Sequence, residues 1–261
     1  MANLVTAPTI LAMKARGEKV VCLTAYDFIT GNLAEEAGAD LVLVGDSVGN
    51  TALGFPTTIP VTLDHMIHHV SATRRAVRRA LLVADMPFGS YGASVEQAVN
   101  SATQLARAGA SAVKLEGTYC DEIRAIVKMG IPVMGHVGMT PQSVNNFGGF
   151  RAQGRGEAGQ LVIEAAKAIE AAGAFAIVLE LIPSELARAI TEALSIPTIG
   201  IGAGPECDGE IQVIYDLLGF GSHVFKHTKR YIDGGALCRE ALKHYVDDVR
   251  AGKFPTSENT V

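Results

Sequence analysis

Short apolar runs alternate with longer amphipathic segments along most of the chain. One spacing occurs three times: an Ala-Gly-Ala triplet at 37–39, 108–110 and 172–174 is followed by a short apolar run and then by an acid. Glycine suits the position just after a helix, where the backbone often becomes left-handed. A short, unbroken apolar run is typical of a strand buried on both faces of a parallel sheet. The repeat therefore predicts a helix, a buried strand and an acidic side chain, in that order.

Eight strands are predicted when similar apolar runs elsewhere are included. They lie at 20–25, 40–46, 81–85, 111–116, 131–136, 174–180, 196–201 and 222–226. Helices are predicted at 62–79, 94–108, 157–172, 183–194 and 234–251, with an extra N-terminal helix at 7–16. Strict alternation of strands and helices implies a parallel sheet, either closed or doubly wound. No G-x-G-x-x-G motif follows the first strand, and eight units favour a closed (β/α)8 TIM barrel.

Length and composition agree with one such domain. A (β/α)8 barrel takes about 250 residues, and this chain has 261, of which 48% are hydrophobic and 19% charged. We expect a single barrel domain over 1–261 with a flexible polar tail at 255–261. The net charge of −5 gives nucleic acid no bulk attraction, and no apolar run reaches the ~18 residues of a membrane helix. Four scattered cysteines and an N-terminus without a signal-peptide pattern predict a cytoplasmic protein.

Acidic side chains end three neighbouring predicted strands, and the chemistry of a barrel lies at the carboxyl ends of its strands. Asp46 ends the second strand and Asp85 the third. Lys114 and Glu116 share one face of the fourth strand because they are two residues apart. Converging carboxylates repel one another unless a cation lies among them, and an oxygen-preferring ion such as Mg²⁺ meets that need. The alternative is that each acid caps the helix after its strand.

Two further polar side chains and one long loop belong to the fifth and sixth predicted strands and the connection between them. Glu180 ends the sixth strand and faces the acids from across the barrel, where it suits a general base. The alternative for Glu180 is an ion pair with Arg188. His136 ends the fifth strand and points inward, and its role stays open. The segment 137–156 is long and glycine-rich, and loops of this length are usually functional or mobile, so we expect a lid.

Ordered motifs are spread over the chain from about residue 5 to 254. They are TAYD (24–27), VGDSVG (44–49), LLVADMPF (81–88), VKLEG (113–117), GHVGMTPQSVN (135–145), GGFRAQGR (148–155), VLE (178–180) and IGIGAGPECDGEI (199–211). Together they resemble the ketopantoate hydroxymethyltransferase family. Many motifs in one order are a far more specific signal than any one of them alone.

The resemblance implies a TIM barrel of the phosphoenolpyruvate/pyruvate-binding type. The implied reaction transfers a hydroxymethyl group from 5,10-methylenetetrahydrofolate to 3-methyl-2-oxobutanoate through a metal-stabilised enolate. Its product is 2-dehydropantoate, in pantothenate biosynthesis. One Mg²⁺ per subunit and a homo-oligomer, a decamer, are also implied. Carried over by motif, the metal ligands are Asp46, Asp85 and Glu116. The implied oxo-acid contacts are Asp46, Ser47, Asp85 and Lys114, with His136 as a further candidate contact, and Glu180 is the proton acceptor.

Three other functions stay open on the same barrel. A carbon–carbon lyase or a phosphomutase, similar to isocitrate lyase or phosphoenolpyruvate mutase, would share the metal site and act on a dicarboxylate or a phosphonate. A Schiff-base aldolase would use Lys114 as its nucleophile. A barrel that binds an oxo acid or folate without turnover is the third, and the presence of Lys114, Glu116 and Glu180 argues against it.

Overall fold

Eight parallel strands close into a barrel in the computed structural model of the protein, which describes residues 4–221 and 224–260. The strands are β1 (Val20–Thr24), β2 (Leu41–Val44), β3 (Leu81–Asp85), β4 (Ala112–Lys114), β5 (Val133–Gly138), β6 (Ala176–Glu180), β7 (Thr198–Ile201) and β8 (Gly209–Gln212). They follow chain order around the ring, and β8 pairs with β1 to close it. This arrangement confirms the predicted barrel.

The described residues form two compact units, which divide between Val213 and Ile214, and the first unit contains the barrel. Its helices are α1 (Ala7–Ala15), α2 (Phe28–Glu36), α3 (Val48–Thr51), α4 (Leu63–Arg74), α5 (Val95–Arg107), α6 (Cys120–Lys128), α7 (Val144–Phe147), α8 (Ala158–Ala171) and α9 (Ser184–Ala193). The predicted N-terminal helix is α1, which Thr6 caps by accepting a hydrogen bond from the Thr9 N–H. Helices α5, α8 and α9 match their predicted bounds within one residue, whereas α4 ends five residues early.

Alternate strand residues fill the barrel interior. Leu41 and Leu43 of β2, and Leu81 and Val83 of β3, belong to one buried cluster with side chains from the other strands. Ile10, on α1, is part of the same cluster and is fully buried. The barrel is therefore a packed core, and its chemistry has to lie at the strand ends.

The prediction of the eighth strand at 222–226 is wrong. Ser222 and His223 lie outside the described residues, and residues 224–226 form no strand. The true strand, β8, follows β7 after the loop 202–208, with no helix between them. Its sequence, GEIQ, contains one apolar residue, so the local pattern did not mark it. Pairing with β1 on one side and β7 on the other makes it a strand.

The second unit is largely helical. It contains α10 (Ile214–Leu217), α11 (Gly234–Arg250) and a short 3-10 turn at Ser257–Asn259. Helix α11 confirms the helix predicted at 234–251, and the Asp233 carboxylate caps it by accepting from the Ala236 N–H at 3.2 Å. Within the ranges that the structure describes, no helix is both long enough and apolar enough to span a membrane. The single domain over 1–261 and the flexible tail at 255–261 stay predictions.

Candidate active site

The carboxyl ends of β2, β3 and β4 bring Asp46, Asp85, Lys114 and Glu116 into one buried cluster. Strands β2 and β4 end two residues earlier than predicted, so Asp46 and Glu116 lie just beyond their strands. Asp85 Oδ2 accepts a hydrogen bond from the Asp46 N–H at 2.9 Å. Lys114 Nζ lies 2.5 Å from Asp85 Oδ1 and 3.9 Å from Glu116 Oε1. The lysine therefore stands directly among the acids.

None of the three acids caps the helix that follows its strand. The N-cap residues of α3, α5 and α6 are Ser47, Ser94 and Tyr119. The capping alternative is therefore wrong for this cluster. Across the described ranges, however, no three His, Cys, Asp or Glu side chains already converge on one point that could hold an ion.

The loop after β2 depends on a glycine. A Cβ at Gly45 would lie 2.8 Å from Ser47 Oγ and 3.4 Å from Asp85 Oδ2, so a larger residue would displace Ser47. Ser47 Oγ shares a 2.8 Å hydrogen bond with Tyr26 Oη, which also accepts from Thr24 Oγ1 at 2.9 Å. Because Tyr26 is buried, this contact gives Ser47 a fixed orientation beside the acids.

His136, on β5, lies between two carboxylates that come from the ends of the neighbouring strands β4 and β6. Its Nδ1 is 3.4 Å from Glu116 Oε1, and its Nε2 is 3.3 Å from Glu180 Oε2. Neither nitrogen has hydrogen-bond geometry to its carboxylate, so both contacts are ion pairs when the ring is charged. Burial and the charge of Lys114 lower the pKa of His136, but the two carboxylates outweigh them and raise it to about 9. The ion pairs of the described residues join Glu180 to His136 and not to Arg188.

The acids of the cluster differ in their affinity for a proton. Burial, with repulsion from Asp85 and Glu116, raises the pKa of Asp46 well above its ordinary value. Burial would also raise the pKa of Glu116, but its contact with His136 and the charge of Lys114 lower it. Asp46 is thus the acid that most lacks a positive partner.

Lys114 stays positively charged in this setting. Its burial lowers the pKa, but attraction to Asp85 and Glu116 raises it above the ordinary value for lysine. When every group is ionised, the only cationic partners of the site's four carboxylates among the described residues are this lysine and His136. The site then has an excess of two negative charges, which a divalent cation would neutralise.

Backbone strain lies next to Glu180. Leu181 has φ 48°, a left-handed conformation that is uncommon for any residue except glycine. Its carbonyl accepts from the Gln153 N–H at 3.0 Å, which ties the end of β6 to the loop after α7. Strain of this kind costs about 1–3 kcal/mol and clusters at functional sites.

Two residues of the site were missed from the sequence. Gln142 is buried and donates to Asp46 and Glu116, and Tyr91 is buried against both Gln142 and Glu116. The only signal for Gln142 was its place inside the GHVGMTPQSVN motif, and Tyr91 had none. Gln142 lies in the first half of the 137–156 segment, and Tyr91 contacts it there. This half is folded as the end of β5, a 3-10 turn at Pro141–Ser143 and α7. The predicted role of that segment as a lid stays a prediction.

A family model described as ketopantoate hydroxymethyltransferase matches residues 4–257. The chain belongs to the ketopantoate hydroxymethyltransferase family. Among its relatives, the 3-methyl-2-oxobutanoate hydroxymethyltransferase of Moorella thermoacetica is 52% identical, with 98% of this chain and 97% of the relative covered. The protein of the same name from Aeropyrum pernix is 49% identical, with 98% and 94% covered. The family resemblance found in the motifs is therefore confirmed.

Solved structures outside the ketopantoate hydroxymethyltransferase family share the barrel. Phosphonopyruvate hydrolase, in complex with oxalate and Mg²⁺, has a TM-score of 0.64 at 15% identity, with 97% of this chain and 92% of that one covered. 2,3-Dimethylmalate lyase, a member of the PEP mutase/isocitrate lyase superfamily, has a TM-score of 0.60 at 18% identity, with 98% and 92% covered. At these identities the likeness shows the fold alone, which is the predicted barrel type.

Proposed function

We propose that this chain transfers a hydroxymethyl group from 5,10-methylenetetrahydrofolate to 3-methyl-2-oxobutanoate, giving 2-dehydropantoate for pantothenate biosynthesis. The observation that carries the proposal is the 52% identity, over 98% of the chain, to a relative named for this activity. The buried cluster of Asp46, Asp85, Lys114 and Glu116 supports it, since the reaction has to stabilise negative charge on an oxo acid.

Mg²⁺ fits the cluster by charge and by donor chemistry. We assign Asp46, Asp85 and Glu116 as its ligands, one ion per subunit, because carboxylate oxygens are the donors that this ion prefers. The excess negative charge and the raised pKa of Asp46 indicate a site that needs a cation. When bound, the ion supplies a Lewis acid that polarises the 2-oxo acid.

Glu180 is assigned as the base that removes the C3 proton of the oxo acid. Its side chain is 17% exposed, whereas those of Asp85 and Glu116 are 3% exposed, so a substrate reaches it from the mouth. His136 holds the Glu180 carboxylate in place relative to Glu116, because its two ring nitrogens face one oxygen of each. A base has to lie within reach of the proton that it removes, and this contact fixes its position.

Lys114 and Ser47 act on the substrate in this assignment. The ammonium group of Lys114, kept charged by Asp85 and Glu116, stabilises the negative charge that develops when C3 loses its proton. Ser47, held by Tyr26, has a hydroxyl beside Asp46 that can donate to the carboxylate of the oxo acid. The enolate carbon then bonds to the folate-borne methylene carbon as one of its C–N bonds breaks. Water replaces the second nitrogen on that carbon, which gives the hydroxymethyl product and tetrahydrofolate.

A two-stage assay tests the proposal. With Mg²⁺ and 3-methyl-2-oxobutanoate in deuterated water, the protein is expected to exchange the C3 hydrogen, followed by NMR. Addition of 5,10-methylenetetrahydrofolate is then expected to give 2-dehydropantoate. Exchange without product would favour a lyase or a phosphomutase, an alternative that only the shared barrel fold supports. Neither exchange nor product would point to a barrel that only binds, and activity lost after borohydride trapping with substrate would favour a Schiff base at Lys114.

Assembly as a decamer and a cytoplasmic location stay predictions. Three large apolar side chains on α2, those of Phe28, Ile29 and Leu33, are 49%, 70% and 48% exposed. A group of exposed apolar side chains on one helix supports contact with another copy of the chain.

A further inference from the structure

Gln142 uses its backbone N–H and both polar atoms of its side chain in hydrogen bonds. It lies in the 3-10 turn after β5 and is 6% exposed. Its Nε2 donates to Asp46 Oδ2 at 2.9 Å and to the Met86 carbonyl at 3.0 Å. Its backbone N–H donates to Glu116 Oε2 at 2.9 Å. A residue that follows the fifth strand thus reaches Asp46, beyond the second strand, through its side chain and Glu116, beyond the fourth, through its backbone.

Tyr91 fixes the orientation of the Gln142 amide. Its hydroxyl donates to Gln142 Oε1 at 2.6 Å and accepts from the Glu116 N–H at 3.1 Å. If the amide were turned over, its NH₂ would face the hydroxyl and its oxygen would face Asp46 Oδ2, an acceptor. A buried amide is costly unless its donors and acceptor are all satisfied, so only one orientation is favourable.

The two acids are held in the same manner. One oxygen of each carboxylate, Asp46 Oδ2 and Glu116 Oε2, accepts a hydrogen bond from Gln142. Glu116 Oε1 faces Lys114 and His136, and Asp46 Oδ1 has no hydrogen bond to any donor in the described part of the chain. Each acid therefore keeps one oxygen directed away from Gln142.

We propose that Gln142 is a positioning residue for the metal ligands: its amide orients Asp46 and its backbone N–H orients Glu116. The inference rests on the proposed function, since it takes these acids as the ligands of Mg²⁺. Groups that hold metal ligands by hydrogen bonds tune metal affinity, and their loss typically costs about 10- to 100-fold in affinity or activity.

Gln142→Met tests the proposal, because methionine has a similar length and no polar group able to hold Asp46. Titration calorimetry of the substrate-free protein is expected to show Mg²⁺ affinity reduced by about 10- to 100-fold. At saturating Mg²⁺, kcat is expected to change less than the metal affinity, since the acids themselves remain. An affinity equal to that of the unaltered protein overturns the proposal.

Thr198→Val is the matched control. Thr198 is fully buried at the start of β7, where its hydroxyl bonds to Asp208 and Thr191 and makes no hydrogen bond to Asp46, Asp85 or Glu116. We expect this variant to lower the melting temperature and leave Mg²⁺ affinity unchanged. A matching loss of affinity in Thr198→Val would show a general effect of destabilisation and overturn the proposal.

A second variant covers the case in which Gln142→Met does not fold. Tyr91→Phe keeps the ring and removes the hydroxyl that holds Gln142 Oε1, and it is expected to weaken Mg²⁺ binding in the same direction by a smaller factor. If Gln142→Met does not fold and Tyr91→Phe binds Mg²⁺ with unchanged affinity, the proposal is overturned. If the unaltered protein itself binds no Mg²⁺, the assignment of the ligands fails, and that result is distinct from a failure of Gln142 alone.

Discussion

Lys114→Met removes the one lysine that stands among the buried acids while keeping the length of its side chain. The side chains of Lys114, Asp85 and Glu116 are at most 6% exposed, so water cannot solvate the carboxylates that lose their positive partner. Removal of one partner of a buried ion pair costs about 3–5 kcal/mol, because the other charge is left uncompensated. In a protein of this size 1 kcal/mol corresponds to about 2–4 °C of melting temperature, so we expect a fall on the order of 10 °C.

The loss of stability in Lys114→Met should depend on pH. With the lysine gone, repulsion raises the pKa values of the remaining acids in the folded protein above their unfolded values. The folded state then binds more protons than the unfolded state, so stability falls as the pH rises through the raised pKa values. The penalty is therefore expected to be smaller at about pH 5 than at about pH 8. Added Mg²⁺ is expected to restore part of the lost stability, because it returns positive charge to the site.

Thermal unfolding of the metal-free protein at the two pH values is the assay, with Lys14→Met as the matched control. Lys14 Nζ lies 2.9 Å from Asp208 Oδ2, but both side chains are 17% exposed, and Asp208 keeps a hydrogen bond from the Thr198 N–H. The control should lose less stability and respond neither to Mg²⁺ nor strongly to pH. Equal losses in the two variants, independent of pH and of Mg²⁺, would refute the electrostatic reasoning.

Two further predictions concern the base and the metal. Glu180→Gln is expected to bind 3-methyl-2-oxobutanoate but lose exchange of its C3 hydrogen with deuterated water, since the amide cannot accept that proton; exchange retained at the original rate excludes Glu180 as the base. Mg²⁺ binding is expected to release protons, and to strengthen as the pH rises through the pKa of Asp46, because burial and the neighbouring acids raise that pKa in the metal-free protein. Calorimetry in buffers of different ionisation enthalpy counts these protons, and a count of zero at every pH contradicts the assignment.

The strand-and-acid pattern was enough to predict the barrel and the clustering of three acids at its rim. The strands β1 to β7 are each marked by a local apolar run, and in a parallel barrel neighbouring strands bring the residues at their ends to the same rim. Asp46, Asp85 and Glu116 could therefore be grouped before any contact was known. Lys114 could be placed with them because alternate strand residues share a face.

Tertiary structure decided the features that no local run of residues marks. β8 is a strand because β1 and β7 offer it backbone partners, although GEIQ carries almost no apolar signal. Gln142 reaches Asp46 across 96 residues of sequence and Tyr91 across 51. Hydrogen bonds between such distant residues depend on the closure of the ring, which brings the loops after β2, β3 and β5 together. The sequence by itself thus determined which residues end the strands, and only the folded barrel determined which partners orient them.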